Sequence, residues 1–198
     1  MSERPGHAYL ARHGETEWSL AGKHTGRTDI PLTPNGEELA RKLGARLRSR
    51  TFAAVFTSPL QRARRTCELC GFGGVARILP DLVEWDYGDY EGLQSAQIRA
   101  RQPEWRLFRD GCPGGESPRD VGVRADRVIP LIRDAGGDVL IFAHGHLLRM
   151  LMGRWMTLEP TDAARFSLDP ASLSILGRDA HSGDAVIERW NDTAHLGL

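Results

Sequence analysis

Four short segments of the chain carry residue types that together could do chemistry. Each follows a predicted strand and precedes a turn or a helix: Arg12-His13-Gly14, Ser58-Pro59-Leu60-Gln61-Arg62, Glu84 and His144-Gly145. In α/β folds, ligands bind beyond the carboxyl ends of the parallel strands. If all four segments lie at one such edge, two arginines, two histidines and a carboxyl group meet in one pocket.

A pocket of this composition suits phosphoryl transfer. Arginine forms planar, charge-assisted bonds that match a phosphoryl group, and helix N-termini at Arg62 and His146 would add N–H donors. The imidazole of His13 can attack phosphorus and form a covalent intermediate. The carboxyl of Glu84 can protonate the leaving oxygen if it holds a proton near neutral pH. The residues thus imply transfer through a phosphohistidine without a metal, with the arginines supplying the charge stabilisation that Mg²⁺ provides elsewhere.

Each of these residues also has a simpler interpretation. Arg12 and His13 could end a strand in a solvated turn, and Arg62 could belong to the solvated face of an arginine-rich helix. Glu84 is one of several neighbouring acidic residues. The pair in His144-Gly145-His146 could bind a metal, but a metal site needs further ligands, and the other histidines show no metal-type spacing.

Length, composition and net charge limit the class of protein to which this chain can belong. The chain has 198 residues, of which 40% are hydrophobic and 26% charged, which fits one globular domain over residues 1–198. The formal net charge is zero, and this argues against general binding to nucleic acid or to an anionic membrane. Any anion must therefore be bound by a local cluster of cations.

The cysteines and the hydropathy pattern predict a cytoplasmic protein. Three cysteines, an odd number in a chain of this size, argue against a secreted disulfide framework. Cys67 and Cys70 form a C-x-x-C late in a predicted helix, whereas redox pairs favour helix N-termini, so we interpret this pair as incidental. No apolar run reaches signal-peptide or transmembrane length.

Strand-like and helix-like segments alternate along the chain. Predicted strands cover 7–11, 52–56, 75–79, 138–143, 172–176 and 185–190. Predicted helices cover 34–49, with Thr33 as N-cap and Pro34 in the first turn, then 60–69, 121–135 and 146–156. The run Asp138–Ala143 is the most hydrophobic and is typical of a buried parallel strand.

The alternation predicts an α/β fold, a three-layer α/β/α sandwich with a mostly parallel central sheet. Residues 86–118 depart from this pattern, because they are rich in Gly, Pro, Trp and Tyr and contain one modest helix near 93–101. We interpret this segment as a small cap over the site.

Several motifs in series resemble those of the histidine phosphatase superfamily, which includes the cofactor-dependent phosphoglycerate mutases. The resemblance spans roughly residues 8–150. It is carried by Arg12-His13-Gly14-Glu15-Thr16, Thr28-Asp29-Ile30-Pro31-Leu32-Thr33, Ser58-Pro59-Leu60-Gln61-Arg62-Ala63, Glu84 with Gly88 and Glu91-Gly92, Pro113-Gly114-Gly115-Glu116-Ser117, and Ala143-His144-Gly145.

The resemblance implies a role for each matching residue. His13 would be the nucleophile, and Glu84 the general acid and later the base for water. Arg12, Arg62 and His144 would form the phosphate pocket. The residues expected to contact substrate are Ser19, Thr25, Gly26, Tyr87 and Gly145. No cofactor or metal is expected.

Further motifs are most similar to the sedoheptulose-1,7-bisphosphatase-like branch: Trp18-Ser19…Thr25-Gly26, residues 84–92 and Arg109-Asp110-Gly111-Cys112. In mutases an arginine follows the acid glutamate, whereas here Trp85 and Asp86 follow it. We expect the acid of Asp86 to repel a substrate carboxylate. Lys23, His24 and Arg109 could hold a second phosphate.

Three functions follow from the residues and the resemblance. The first is a metal-independent phosphatase acting on a small sugar phosphate or bisphosphate in carbohydrate metabolism. The alternative is a phosphoglycerate mutase, in which a substrate hydroxyl rather than water takes the phosphoryl group from His13. The least favoured is a binding module without turnover. The physiological substrate and the oligomeric state stay open.

Overall fold

The computed structural model describes residues 6–197 and is built around one six-stranded sheet. The strands are β1 (Ala8–Arg12), β2 (Ala54–Thr57), β3 (Arg77–Ile78), β4 (Val139–Ala143), β5 (Leu173–Arg178) and β6 (Ala185–Asp192). Their order is β3-β2-β4-β1-β5-β6. The first four strands are mutually parallel, and β5 runs antiparallel to both β1 and β6.

Helices connect the strands and cover both faces of the sheet. They are α1 (Glu17–Leu20), α2 (Pro34–Leu47), α3 (Gln61–Leu69), α4 (Ser95–Arg101), α5 (Leu107–Asp110), α6 (Pro118–Arg133), α7 (Gly145–Trp155) and α8 (Pro160–Ala163). Within residues 6–197, no helix is long and apolar enough to cross a membrane.

Strand β4 shows why the fold has three layers. Its side chains alternate between the two faces of the sheet. Val139 and Ile141 belong to the larger core cluster, with α6, α7 and the cap, and Leu140 and Phe142 belong to a second cluster with α2 and α3. Because both faces are covered, all five residues of β4 are buried. The predicted three-layer α/β/α sandwich is confirmed.

The register of the parallel strands brings their carboxyl ends together. Arg12 of β1 pairs with Ala143 of β4, and Thr57 of β2 pairs with Phe142. The residues that follow these strands, His13, Ser58 and His144, therefore meet at one edge, as the sequence predicts.

The cap at residues 86–118 packs on the core through aromatic side chains. Tyr87, Tyr90, Trp105 and Phe108 are all buried in the larger core cluster. The cap is also bonded to the loop that follows α1, because the His24 N–H donates to the Leu93 carbonyl and the Gly92 N–H donates to the His24 carbonyl, both at 2.9 Å.

Several boundaries differ from those predicted. Strand β3 has two residues rather than the five at 75–79, because the Val75 and Ala76 N–H groups donate to the Phe72 carbonyl in a turn. Helix α6 begins at Pro118 rather than 121, since the Ser117 side chain caps it by accepting from the Asp120 N–H. Helix α2 ends at Leu47 rather than 49.

Candidate active site

A small cavity of about 100 Å³ lies at the carboxyl ends of β1 and β4, under the cap. It is lined by Arg12, His13, Ser19, Lys23, His24, Thr25, Glu84, Tyr87, Gly145, His146, Arg149 and Leu168. Its volume is that of about three waters. A phosphoryl group would therefore fill most of it, and the rest of a ligand would extend through the mouth.

His13 follows β1 directly and is 4% exposed. Its Nδ1 lies 2.7 Å from the Gly14 carbonyl oxygen. Because a carbonyl only accepts, Nδ1 carries the proton and Nε2 keeps its lone pair. Burial, followed by the charges of Arg62 and Arg12, holds the pKa of His13 well below its usual range. The ring is therefore neutral near pH 7, with Nε2 as a free nucleophile.

Gly14 makes the turn after β1 possible by its lack of a side chain. A Cβ at this position would lie 2.4 Å from the Gly36 carbonyl oxygen, well inside contact distance. The Gly14 N–H also donates to Thr66 Oγ1 at 3.0 Å. The turn that positions His13 therefore contacts both α2 and α3.

Arg12 offers an unused donor at the cavity. Its Nη1 donates to the Leu168 carbonyl, whereas its Nε is buried and has no partner among residues 6–197. Burial lowers the pKa of Arg12, although a guanidinium stays charged at any pH of interest. Gly145 lies next to this guanidinium, since a Cβ at that position would be in van der Waals contact with the guanidinium carbon, at 3.4 Å. A buried cationic donor without a partner beside a cavity indicates an anion site.

Arg62 lies behind the cavity wall, fully buried in the first turn of α3. It donates to the carbonyls of Thr25 at 3.0 Å, Gly26 at 2.9 Å and Thr28 at 3.0 Å, and its Nε donates to His144 Nδ1 at 3.2 Å. A guanidinium has five N–H donors, so one is left. Arg62 therefore holds the loop at 25–28 and contributes its charge to the site.

His144, the N-cap residue of α7, has both ring nitrogens engaged. Because Nδ1 accepts from Arg62, Nε2 carries the proton and donates to Ser58 Oγ at 2.7 Å. Burial and the Arg62 charge hold its pKa well below the usual range. Its ring centroid lies 5.2 Å from that of His13. His144 is thus a neutral ring that links Arg62 and Ser58 next to His13.

The carboxylate of Glu84 is held at the N-terminus of α7. Oε1 accepts from the N–H groups of Trp85 at 2.9 Å and Leu147 at 2.8 Å, and Oε2 accepts from the His146 N–H at 3.0 Å. The side chain is 5% exposed and lines the same cavity as His13. The free N–H groups at the start of α7 thus hold both oxygens of Glu84 in place. His13 and the carboxyl group of Glu84 therefore lie in one cavity.

The cavity wall on the cap side contains neutral rings. Tyr87 Oη lies 2.6 Å from His146 Nδ1. Burial raises the pKa of Tyr87 and holds that of His146 well below its usual range, so both groups are neutral. Burial and the charge of Arg99 lower the pKa of His24 to about 4. These rings offer hydrogen bonds to a ligand but no charge.

Some residues expected at the site lie elsewhere. Gly26 does not line the cavity, and its carbonyl accepts from Arg62 behind the cavity wall. Arg109 lines a separate surface groove and pairs with Asp110 at 2.7 Å. The expectation that Asp86 repels a carboxylate is wrong, because its side chain pairs with Arg27 at 3.3 Å and does not line the cavity.

Three lining residues were not predicted as site residues: His146, Arg149 and Leu168. Arg149 lies four positions after Gly145, so one turn of α7 returns its side chain to the cavity. This spacing could have identified it. Leu168 belongs to a loop before β5, and its sequence gives no signal.

The two other motifs with a chemical interpretation have structural explanations. His144 and His146 bond to different partners, and residues 6–197 contain no group of three or more His, Cys, Asp or Glu side chains placed to hold a metal. Cys67 and Cys70 are buried free thiols, and burial raises the pKa of Cys67 to about 12. A thiol with so high a pKa is not reactive.

A family model and curated proteins match most of the chain. The model for the histidine phosphatase superfamily (branch 1) matches residues 8–193. An acid phosphatase of Mycobacterium tuberculosis is 39% identical over 89% of this chain and 89% of its own. Sedoheptulose 1,7-bisphosphatase of Saccharomyces cerevisiae is 35% identical over 75% of this chain and 67% of its own. A 2,3-bisphosphoglycerate-dependent phosphoglycerate mutase of Methylorubrum extorquens is 40% identical over 72% of this chain and 76% of its own.

A solved structure has the same fold. It is that of an open reading frame of Mycobacterium tuberculosis, with a TM-score of 0.89 and 37% sequence identity over 95% of this chain and 98% of its own. The chain therefore belongs to the histidine phosphatase superfamily.

Proposed function

We propose that this chain is a phosphatase that hydrolyses small phosphomonoesters through a phosphohistidine on His13. The observation that carries the proposal is a neutral His13 whose Nε2 is free, in one cavity with Glu84 and the unpaired donor of Arg12. Relatives named as an acid phosphatase and a sedoheptulose bisphosphatase support it.

In the first step, Nε2 of His13 attacks phosphorus and the bond from phosphorus to the leaving oxygen breaks. Glu84, carrying a proton, gives it to that oxygen, so the alcohol leaves neutral. Nδ1 keeps its proton and its bond to the Gly14 carbonyl, which orients the ring throughout. Arg12 binds the transferred group, and the charge of Arg62 behind the cavity wall adds to the stabilisation of its negative charge.

In the second step, water attacks the phosphohistidine. Glu84, now a carboxylate, takes a proton from the water, and the bond from phosphorus to Nε2 breaks. Inorganic phosphate leaves and His13 returns to its neutral form. The three N–H groups that hold the Glu84 oxygens keep it in place during both steps.

The proposal also covers the substrate-contacting residues. Ser19, Thr25, Tyr87 and Gly145 line the cavity, and we assign them contacts with the phosphoryl group or the nearest atoms of the substrate. Gly26 contributes through the loop that Arg62 holds.

A phosphoglycerate mutase is the second candidate, and the 40% identity to a protein of that name favours it. The side chain of Trp85 argues against a mutase. It is the residue after Glu84, and its ring is fully buried, with Nε1 donating to the Glu116 carbonyl at 2.9 Å. This position therefore offers no cation for a substrate carboxylate.

Incubation with 3-phosphoglycerate separates the two candidates. A phosphatase releases inorganic phosphate faster than it forms 2-phosphoglycerate, whereas a mutase does the reverse. A binding module would turn over neither this compound nor 4-nitrophenyl phosphate, and would thereby overturn both catalytic proposals. The His13→Gln variant, which removes the nucleophile, is the control for contaminating phosphatases.

We further propose that residues 1–198 act as one catalytic domain on sugar phosphates or bisphosphates of carbohydrate metabolism, in the cytoplasm, with no metal, cofactor or nucleic-acid partner. The unpaired cysteines among the described residues fit a reducing compartment. The zero net charge gives no general attraction to nucleic acid. Phosphate release across a panel of phosphorylated metabolites tests the substrate class.

A further inference from the structure

We propose that Arg124 and Glu116 are positioning residues for the general acid, because together they fix the backbone from which Glu84 reaches the leaving oxygen. The inference rests on the proposed phosphatase function and assigns a role to two residues outside the cavity. Neither of them lines the cavity. Both would therefore act on the reaction through Glu84 and not by touching the substrate.

The backbone at Glu84 has little support from regular secondary structure. Residues 83–87 lie outside any strand or helix, between a single turn of 3-10 helix at Pro80–Leu82 and another at Gly88–Tyr90. Buried carbonyl groups that have no partner in a ladder or a helix must be satisfied by side chains. The position of this segment therefore depends on the side chains that bind its carbonyls.

Arg124, on α6, supplies most of these bonds and is 8% exposed. Its Nη1 donates to the carbonyls of Asp81 and Val83, both at 2.8 Å, and its Nη2 donates to the carbonyl of Glu84 at 3.2 Å. Its Nε and the other N–H of Nη2 donate to the two carboxylate oxygens of Glu116, both at 2.7 Å. A guanidinium has five N–H groups. All five are used here, and none is left for a ligand.

Glu116 holds the two residues that follow Glu84. Its Oε2 accepts from the Asp86 N–H at 2.9 Å, and its own N–H donates to the Asp86 carbonyl at 2.9 Å. Its carbonyl accepts from Nε1 of Trp85 at 2.9 Å. The ion pair of Arg124 and Glu116 thus fixes the chain on both sides of Glu84.

The motif Pro113-Gly114-Gly115-Glu116-Ser117 brings Glu116 to this segment. A Cβ at Gly115 would lie 2.3 Å from the Asp86 carbonyl oxygen, well inside contact distance. Any other residue at this position would push the two segments apart. The motif therefore has a physical purpose, which is to let Glu116 lie against the segment that carries Glu84.

The pair acts on Glu84 through geometry more than through charge. Glu116 balances the charge of Arg124 in a bidentate ion pair. A general acid must lie within hydrogen-bond distance of the leaving oxygen, and a misplacement of about 1 Å can cost about 100-fold in rate. Because His13 lies in the turn after β1, a shift of the segment at 81–86 would move the acid and leave the nucleophile in place.

The test compares two substrates that differ in their need for an acid. The 4-nitrophenolate ion leaves without a proton, whereas the alkoxide of glycerol 3-phosphate needs one. The kcat/KM for each substrate is measured for the wild type, Glu116→Gln, Arg124→Lys and the control Arg127→Lys. Glutamine keeps the size of Glu116 but turns one acceptor into an NH₂ donor. Lysine keeps the charge of Arg124 but has three N–H groups on one nitrogen and cannot span the same partners.

Arg127 is the matched control because it lies on the same helix and pairs with the side chain of Asp81, and not with the carbonyls at 83 and 84. We expect Glu116→Gln and Arg124→Lys each to reduce the ratio of kcat/KM for glycerol 3-phosphate to that for 4-nitrophenyl phosphate about tenfold or more. Arg127→Lys should leave this ratio within about twofold, since its ion pair is exposed.

A double-variant cycle separates positioning from a structural role. In Glu84→Gln there is no acid left to position. Adding Glu116→Gln to Glu84→Gln should therefore change the ratio of the two substrates by less than about twofold. A merely structural role would lower the hydrolysis of both substrates alike, with or without Glu84.

The inference is overturned if Glu116→Gln and Arg124→Lys reduce the hydrolysis of both substrates equally, or if the effect of Glu116→Gln on the ratio persists in Glu84→Gln. Activity toward 4-nitrophenyl phosphate shows that a variant is folded, and if one of the two variants does not fold, the other decides the test. A wild type that hydrolyses neither substrate would instead refute the phosphatase function, and the positioning role with it.

Discussion

The change Glu91→Gln tests whether the cap holds the active-site loop in place. Glu91 Oε1 accepts from the N–H groups of Gly26 at 2.8 Å and Thr28 at 3.1 Å. Arg62 binds the carbonyls of the same loop from the other side. The loop at 25–28 is therefore held between an acid of the cap and an arginine of the core.

The magnitude follows from the number and kind of these bonds. Glutamine keeps one acceptor oxygen but removes the charge, so two bonds to a carboxylate become two bonds to a neutral amide. Bonds to charged groups contribute about 1.5–3 kcal/mol and neutral ones about 0.5–1.5 kcal/mol. We expect the change to cost about 2 kcal/mol, which is about a 30-fold increase in the population of the open loop.

Amide hydrogen exchange measures this opening directly. The amides of Gly26 and Thr28 should exchange about 30-fold faster in Glu91→Gln, because both are the donors to Glu91 and exchange follows local opening. The amides of β4 should change much less. Glu17→Gln, at an exposed position in α1, is the matched control. If exchange at Gly26 and Thr28 equals that of the control, Glu91 does not hold the loop.

Three further outcomes are expected. Glu84→Gln should reduce the hydrolysis of alkyl phosphates, which have poor leaving groups, about 100-fold or more and that of aryl phosphates much less; equal losses would remove Glu84 from the acid role. Phosphate release should stay within about twofold after treatment with a chelator, whereas full loss with rescue by a divalent cation would make the reaction metal-dependent. Between pH 7 and 5.5, kcat/KM corrected for ionisation of the substrate should fall less than about threefold. An ordinary histidine with a pKa of about 6.5 would by then be mostly protonated and would cost about tenfold, but the lowered pKa of His13 keeps Nε2 free until a lower pH. A tenfold loss centred near pH 6.5 in the free enzyme would contradict the neutral nucleophile.

The sequence predicts the fold well where patterns are local. The buried run of β4 follows from its continuous apolar residues, and the start of α2 follows from Thr33 and Pro34. The sequence predicts β3 too long, because its start depends on how Val75 and Ala76 turn back to Phe72. Such a turn leaves no mark in the hydrophobic pattern.

The convergence of the site follows from the sequence because parallel strands end at one edge of the sheet. Arg12, His13, Arg62, Glu84 and His144 meet there. The sequence does not show which of these side chains face the cavity and which bind other parts of the protein. A guanidinium that binds loop carbonyls has the same sequence signature as one that faces a ligand, so only the structure places Arg62 behind the wall.

Side-chain direction explains what the sequence missed. Asp86 is adjacent to the site in sequence but turns to Arg27, and Arg109 turns to Asp110. Arg149, in the middle of a helix, turns into the cavity. An argument from nearness in sequence therefore assigns loop charges to the site although they lie elsewhere. It also overlooks a helical residue that lies one turn from the site.

Trapping the covalent intermediate tests the phosphohistidine mechanism most directly. Rapid mixing with a good aryl phosphate, quenching in alkali and mass spectrometry of the peptide that contains His13 should reveal one phosphoryl group. Because Nδ1 donates to the Gly14 carbonyl, ³¹P NMR should assign the group to Nε2. Phosphate release without labelling of His13, or an undiminished burst in His13→Gln, would contradict this mechanism.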